Sequence, residues 1–195
     1  MGKIFYLMGK SASGKDTIFK ELKNRMSKLK TITLYTTRPI REGETDGVEY
    51  HFVDEKKLSE MEANHQVIEM RAYNTKYGIW KYFTANDGQI DLDNQDYLVI
   101  GTLASYEEMR QYFGKDKIIP LYIEVADGLR LTRALERENQ QTEPKYAELC
   151  RRFLADNDDF SEENLERAGV AIRFCNQELE GCIENIIRYI EAEVM

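Results

Sequence analysis

Proline, cysteine and histidine are scarce in this chain: three, three and two among 195 residues. So few prolines leave no stiff linker between independent domains, and no internal repeat or low-complexity tract is present. The cysteines, Cys150, Cys175 and Cys182, are odd in number and match no metal-ligand spacing. Neither a disulfide framework nor a zinc site is therefore expected, and they read as small thiols of a reduced, cytoplasmic protein. His51 and His65 suggest no metal site either. No apolar run approaches the roughly 18 residues of a membrane span. The opening Met-Gly-Lys-Ile-Phe-Tyr-Leu-Met is too short for a secretory signal. Positive charge is lacking too. The formal net charge of −8 argues against nonspecific nucleic-acid binding, which needs clustered cations to displace counterions from phosphates. A small anion responds to local charge instead, and two basic clusters stand out: Arg38/Arg41, and Arg130/Arg133/Arg137 with Arg151/Arg152.

What is present is enough apolar residue, 42%, for one good core with a small inserted subdomain. Residues 3–8 form a short apolar run closed by Gly9, which predicts a buried strand. A Gly/Ser/Ala stretch follows, then Lys15–Lys28 with Ile18, Leu22 and Met26 four apart, a helical stripe. Further strands are predicted at Thr31–Tyr35, Tyr97–Gly101, Ile118–Val125 and Val170–Cys175. Helices are predicted at Tyr106–Phe113, Gly128–Asn139, Tyr146–Phe160 and Leu179–Val194. This alternation favours a doubly wound parallel α/β sheet. Residues 36–96 break it, with aromatic-rich runs at Tyr50–Val53, Val67–Tyr73 and Tyr77–Thr84 and a helix near Asp54–Asn64. The expected organisation is a core of residues 1–35 and 97–195 carrying an inserted, partly β lobe, 36–96.

Gly9-Lys10-Ser11-Ala12-Ser13-Gly14-Lys15 fits G-x-x-x-x-G-K between the predicted strand and helix. Backbone N–H groups in such a loop wrap phosphate oxygens, the helix adds its positive N-terminal end, and the lysine reaches the outer phosphates. The residue after the lysine is Asp16 rather than Ser/Thr, with Thr17 next. Asp16 or Thr17 is a candidate for holding Mg²⁺; equally, Asp16 can serve only the helix start. Arg130, Arg133 and Arg137, three and four apart, fall on one helix face. They read as cations that close over a phosphoryl donor or as a surface stripe paired with Glu136 and Glu138.

The segment Thr36-Thr37-Arg38-Pro39-Ile40-Arg41-Glu42-Gly43-Glu44-Thr45-Asp46-Gly47-Val48-Glu49-Tyr50-His51-Phe52-Val53 narrows the reading. Two arginines three apart, kept from helix by Pro39, can present fork-shaped donors to one phosphate, with Tyr50 as a phenolic donor beside them. Together with the phosphate loop, Ile68-Glu69 and Tyr77-Gly78, this segment resembles the guanylate kinase family. The resemblance implies a P-loop NTPase-type parallel sheet flanked by helices, with an inserted acceptor-binding lobe and a helical lid at about 130–152. It implies Mg²⁺-assisted, in-line transfer of the ATP γ-phosphate to GMP or dGMP. By resemblance ATP would lie on Gly9 to Thr17 with Asn176 at the adenine, and Lys15, Arg133, Arg137 and Arg152 (or Arg151) would stabilise the transferring group. Arg38, Arg41, Tyr50 and Tyr77 would hold the acceptor phosphate, and Glu69 would accept from guanine N1–H and its amino group.

The chain departs from the family pattern at Leu34, where a serine is usual, and at Ile79-Trp80, where Ser/Thr is usual. It departs again at Gly101, where the strand should end in an acid. Asp91, Asp93 and Asp96 lie upstream of that place. A pocket so altered is expected to discriminate bases less well or to take another phosphorylated acceptor, such as a sugar bisphosphate. A binding module without turnover is a third possibility, although such domains tend to lose the phosphate loop and lid arginines.

Overall fold

The computed structural model describes residues 2–75 and 78–194. Strand β1 (Ile4–Gly9) is buried along its whole length. Its alternating side chains feed two cores: Ile4, Tyr6 and Met8 on one face, Phe5 and Leu7 on the other. Each such apolar side chain contributes about 1.5–3 kcal/mol on burial, which is why the sequence shows an unbroken apolar run rather than alternation. Parallel to β1 run β7 (Tyr97–Ile100) and β8 (Ile118–Glu124). With β2 (Lys30–Thr31) and β9 (Arg173–Cys175) they make a five-stranded sheet in the order β2-β7-β1-β8-β9.

Helices cover both faces. Against Phe5 and Leu7 lie α1 (Lys15–Arg25) through Ile18 and Leu22, and α7 (Leu179–Val194) through Ile183, Ile186 and Ile190. Against Tyr6 and Met8 lies α3 (Leu103–Phe113) through Leu103, Tyr106 and Met109. The next helices are α4 (Asp127–Asn139), α5 (Tyr146–Asp159) and α6 (Glu162–Arg167). The parallel α/β class expected from the sequence is what forms.

A second sheet holds β3 (Tyr35–Thr36), β4 (His51–Phe52), β5 (Val67–Thr75) and β6 (Gly78–Ala85), in the order β4-β3-β6-β5. Its own small core is Leu58 and Met61 of α2 (Glu55–Ala63) with Phe83 and Ala85. Ile68 of β5 packs on the first core, tying the second sheet to α3.

Two local expectations change. Thr31–Tyr35 is not one strand: Lys30–Thr31 pairs with β7, whereas Tyr35–Thr36 joins the second sheet. Between them Gln89 does the work of a ladder, accepting from Thr33 N–H at 2.9 Å and donating to Thr33 O at 3.2 Å. The short α6, with Ser161 as its N-cap, was absent from the sequence reading because six residues hold too few turns to show a helical period.

Candidate active site

The loop Gly9–Lys15 leaves the carboxyl end of β1, the central strand, and enters α1. Ligands of open α/β sheets bind at this end. Gly14 is the N-cap of α1 with φ +86°, and a Cβ there would stand 2.5 Å from Asn176 Nδ2, so no larger residue fits. Ala12 also has positive φ, +61°, a strain of about 1–2 kcal/mol for a residue with a side chain. Asn176 fixes the turn from behind by donating to Ser13 O at 2.8 Å. Its Oδ1 and Ser13 Oγ are buried without a protein partner among the described residues. Lys15 Nζ lies 3.8 Å from Asp16 Oδ2. With Gly14 at the cap, Asp16 is an exposed first-turn residue, where its charge suits the helix dipole. Asp16 and the exposed Thr17 offer hard oxygens of the kind Mg²⁺ takes, so this site fits a nucleotide-borne Mg²⁺.

Lys10 and Ser11 are tied to α5. Ser11 N–H donates to Asp156 Oδ2 at 2.7 Å, and Lys10 Nζ donates to Asn157 Oδ1 at 2.9 Å. The three arginines of α4 part company here. Arg130, 1% exposed, donates to Ser11 O, Asp127, Asn157 and Asp156 and sits 4.6 Å over the Phe153 ring. It is the brace between loop, α4 and α5. Arg133 donates to Asn176 O at 3.1 Å. Arg137 and Arg152 line a cleft of about 230 Å³ with Ser11, Lys145 and Glu148. Arg151 and Arg152 share Glu148, whose carboxyl they hold down at about 2.

In the second sheet Arg38 is buried, 3% exposed, and its fork meets Glu44 at 2.8 and 2.9 Å. Glu44 is held at about 2 by that guanidinium, helped by its acceptance from Arg41 N–H. The Arg38 guanidinium also lies 5.5 Å over the Tyr50 ring and 5.3 Å over Phe52. Arg41 lies 5.9 Å over Trp80 and, among the described residues, gives its guanidinium hydrogens to no protein acceptor. The two forks expected to converge on one phosphate are thus unequal: Arg38 has an internal counter-ion, while Arg41 is exposed. Tyr77 lies outside the described residues.

Glu69 is 2% exposed, and both its carboxylate oxygens accept hydrogen bonds. It accepts from Thr84 Oγ1 at 2.7 Å and from Arg71 Nε and Nη2 at 3.1 and 3.3 Å. Burial pushes its carboxyl up even with Arg71 beside it. The missing acid at 101 has a steric cause. A Cβ on Gly101 would stand 2.1 Å from the Tyr6 hydroxyl, which is buried and donates to Ser105 Oγ at 2.7 Å. Tyr6 fills the space an acid would need. Asp96 does not replace it, since it accepts from Lys3 N–H at the opposite end of β7, and Asp91 accepts from Asp93 N–H and Asn94 in the turn before that strand.

A glycine loop of phosphate-binding pattern thus stands at the carboxyl end of the central parallel strand of an α/β sheet, beside a cleft lined by Arg137, Lys145 and Arg152 together with Glu138, Glu143 and Glu148. Residues 1–87 match the family model described as Guanylate kinase. The guanylate kinase of Thermobifida fusca is 39% identical over 77 residues, 39% of each chain. That of Helicobacter hepaticus is 30% identical over 115 residues, 58% of this chain and 56% of its own. The chain thus spans between about two fifths and just over half of these two relatives' lengths. In fold, the crystal structure of guanylate kinase from Anaplasma phagocytophilum superposes with a TM-score of 0.64 at 16% identity, covering 100% of this chain and 87% of that one.

Sequence reasoning missed Glu44, Arg71, Tyr6 and Asp156. Two of these left a signal: Glu44 lies in the quoted segment Thr36–Val53, six residues from Arg38, and on a strand Glu69 and Arg71 share a face.

Proposed function

We propose that the chain transfers the γ-phosphate of ATP to a nucleoside monophosphate, with GMP and dGMP as the first acceptors to consider. The observation that carries this is the phosphate loop with Lys15 at its end and Arg137 and Arg152 lining a cleft with Ser11. The matched first 87 residues, which include Arg38, Arg41, Tyr50 and Glu69, support the acceptor class. An acceptor phosphate oxygen attacks the γ-phosphorus in line while the bond to the β-phosphate oxygen breaks, releasing ADP. The chain supplies no covalent step. Lys15 and the loop amides hold the donor phosphates, Arg133, Arg137 and Arg152 neutralise the transferring group, and Arg41, Tyr50 and Arg38 aim the acceptor. Mg²⁺, near Asp16 and Thr17, would offset charge between the outer phosphates. Residues 36–96 act as the acceptor lobe and 130–152 as a lid, both moving inward on binding. A cytoplasmic setting suits its three free cysteines.

A second reading, a phosphorylated acceptor other than GMP, is favoured by Leu34, Ile79 and Gly101. A non-catalytic module fits less well, since phosphate loop and arginines are intact. The test is ADP release from Mg²⁺-ATP with GMP, dGMP, AMP, CMP, UMP and ribose 1,5-bisphosphate in turn. Lys15→Ala should lower turnover about 100-fold or more. No Lys15-dependent turnover with any acceptor would sink the kinase reading.

A further inference from the structure

Glu69 and Arg71 stand two apart on β5 and so project from one face of the strand. Their side chains form a desolvated pair in which Arg71 Nε and Nη2 cover both carboxylate oxygens, and Thr84 takes a further lone pair. Arg71 Nη1 donates to no described residue. Arg71 lines a cleft of about 410 Å³ with Tyr73, Thr102, Glu107, Asp159 and Arg167, and Glu69 does not. The carboxylate expected to accept from guanine is therefore spoken for, and the member of the pair that lines the cleft is the one that carries donors.

We propose that Arg71 sets acceptor specificity: it occupies Glu69 and offers its own N–H groups, selecting acceptors that present a carbonyl or an oxyanion there rather than the donor edge of guanine. The word acceptor rests on the phosphotransferase reading above; the pairing and the cleft do not. Two sources share this chemistry. A 6-oxopurine presents O6 and N7, the edge that arginine meets with two hydrogen bonds, and a bisphosphate presents a second phosphate. In either case the guanine amino group finds no partner at Glu69. Opening the pair to admit it would leave the guanidinium without its counter-ion and exchange the carboxylate's charged donor for a neutral one.

Calorimetric binding of GMP, IMP and ribose 1,5-bisphosphate tests this, because IMP differs from GMP only by lacking the amino group. Wild type should bind GMP and IMP within about threefold of each other, since no group reads the difference. Ribose 1,5-bisphosphate binding more tightly than both would identify the oxyanion source, and weaker binding the carbonyl source. Arg71→Ala frees Glu69 and should raise the GMP-over-IMP preference to about tenfold or more. Glu69→Gln, which does not depend on Arg71→Ala folding, should alter GMP and IMP affinity by the same factor. A wild-type preference for GMP of tenfold or more that Glu69→Gln abolishes would overturn the proposal, as would no binding of any of the three. Loss of turnover with the binding ratios intact would remove the kinase reading and leave this one standing.

Discussion

Position 101 illustrates how single residues here are coupled to distant ones. The sequence registers Gly101 as the loss of an acid, yet the cause lies 95 positions upstream in Tyr6, whose hydroxyl fills the space. Tyr6 is buried and hydrogen-bonded, so it cannot swing away. Gly101→Asp should therefore destabilise by about 1–3 kcal/mol through overpacking, read from urea denaturation. In a Tyr6→Val background that cost should shrink, giving a coupling of about 0.5–3 kcal/mol in a double-mutant cycle. Equal costs in both backgrounds would show that the clash is not what excludes an acid. Arginines teach the same lesson. Arg130 and Arg137 are the same residue type on one helix, but Arg130 is a buried brace and Arg137 lines the open cleft. Seven residues of spacing do not distinguish them; packing against Phe153 and Asp156 does.

At the scale of elements, the strongest signals were those with both a period and a cap. The helix α2 was legible from Asp54 onward because Asp54 Oδ1 accepts from Lys57 N–H at 2.7 Å while Leu58 and Met61 turn inward. Asp54→Ala should cost about 1 kcal/mol, seen as a lower midpoint in chemical denaturation; an unchanged midpoint would mean the second sheet alone holds this helix. The strand predicted over Thr31–Tyr35 failed for a physical reason. Alternating β-branched and aromatic residues suit any pleated surface, and nothing local says that the chain changes sheets at Ile32–Leu34. The side chain of Gln89, more than 50 positions away, satisfies that gap.

For the molecule as a whole, acidity should act through paired carboxylates. Glu44, beside Arg38, and Glu148, beside Arg151 and Arg152, are each held near 2. A folded-state value below the unfolded one, about 4.3, favours the folded form above that pH and loses the benefit as pH falls toward 2. Glu69 has the opposite sign, its carboxyl being raised, so its relief on acidification comes mainly above the unfolded value and offsets the loss only at the upper end of this range. Thermal midpoints should fall between pH 4.5 and 2, and Glu44→Gln should flatten the fall. An unchanged slope in that variant would mean the Arg38 pair contributes nothing. Both carboxylates are close to solvent, so raising salt should also reduce the effect.

The sequence by itself determined the class of fold and the place of the phosphate loop, because both are written in local terms: an apolar run, glycines and a lysine at fixed spacing, a helical stripe. It also marked the segment Thr36–Val53 and the positions, Leu34, Ile79 and Gly101, that depart from the family pattern it resembles. Tertiary structure decided which partners the surrounding side chains meet. Only folding brings Arg71 onto Glu69, Tyr6 into the space beside Gly101, and Asp156 to the amide of Ser11. Such contacts turn on burial and on which charge finds which partner in a low-dielectric interior. Except for Glu69 and Arg71, two apart, the partners are far apart along the chain.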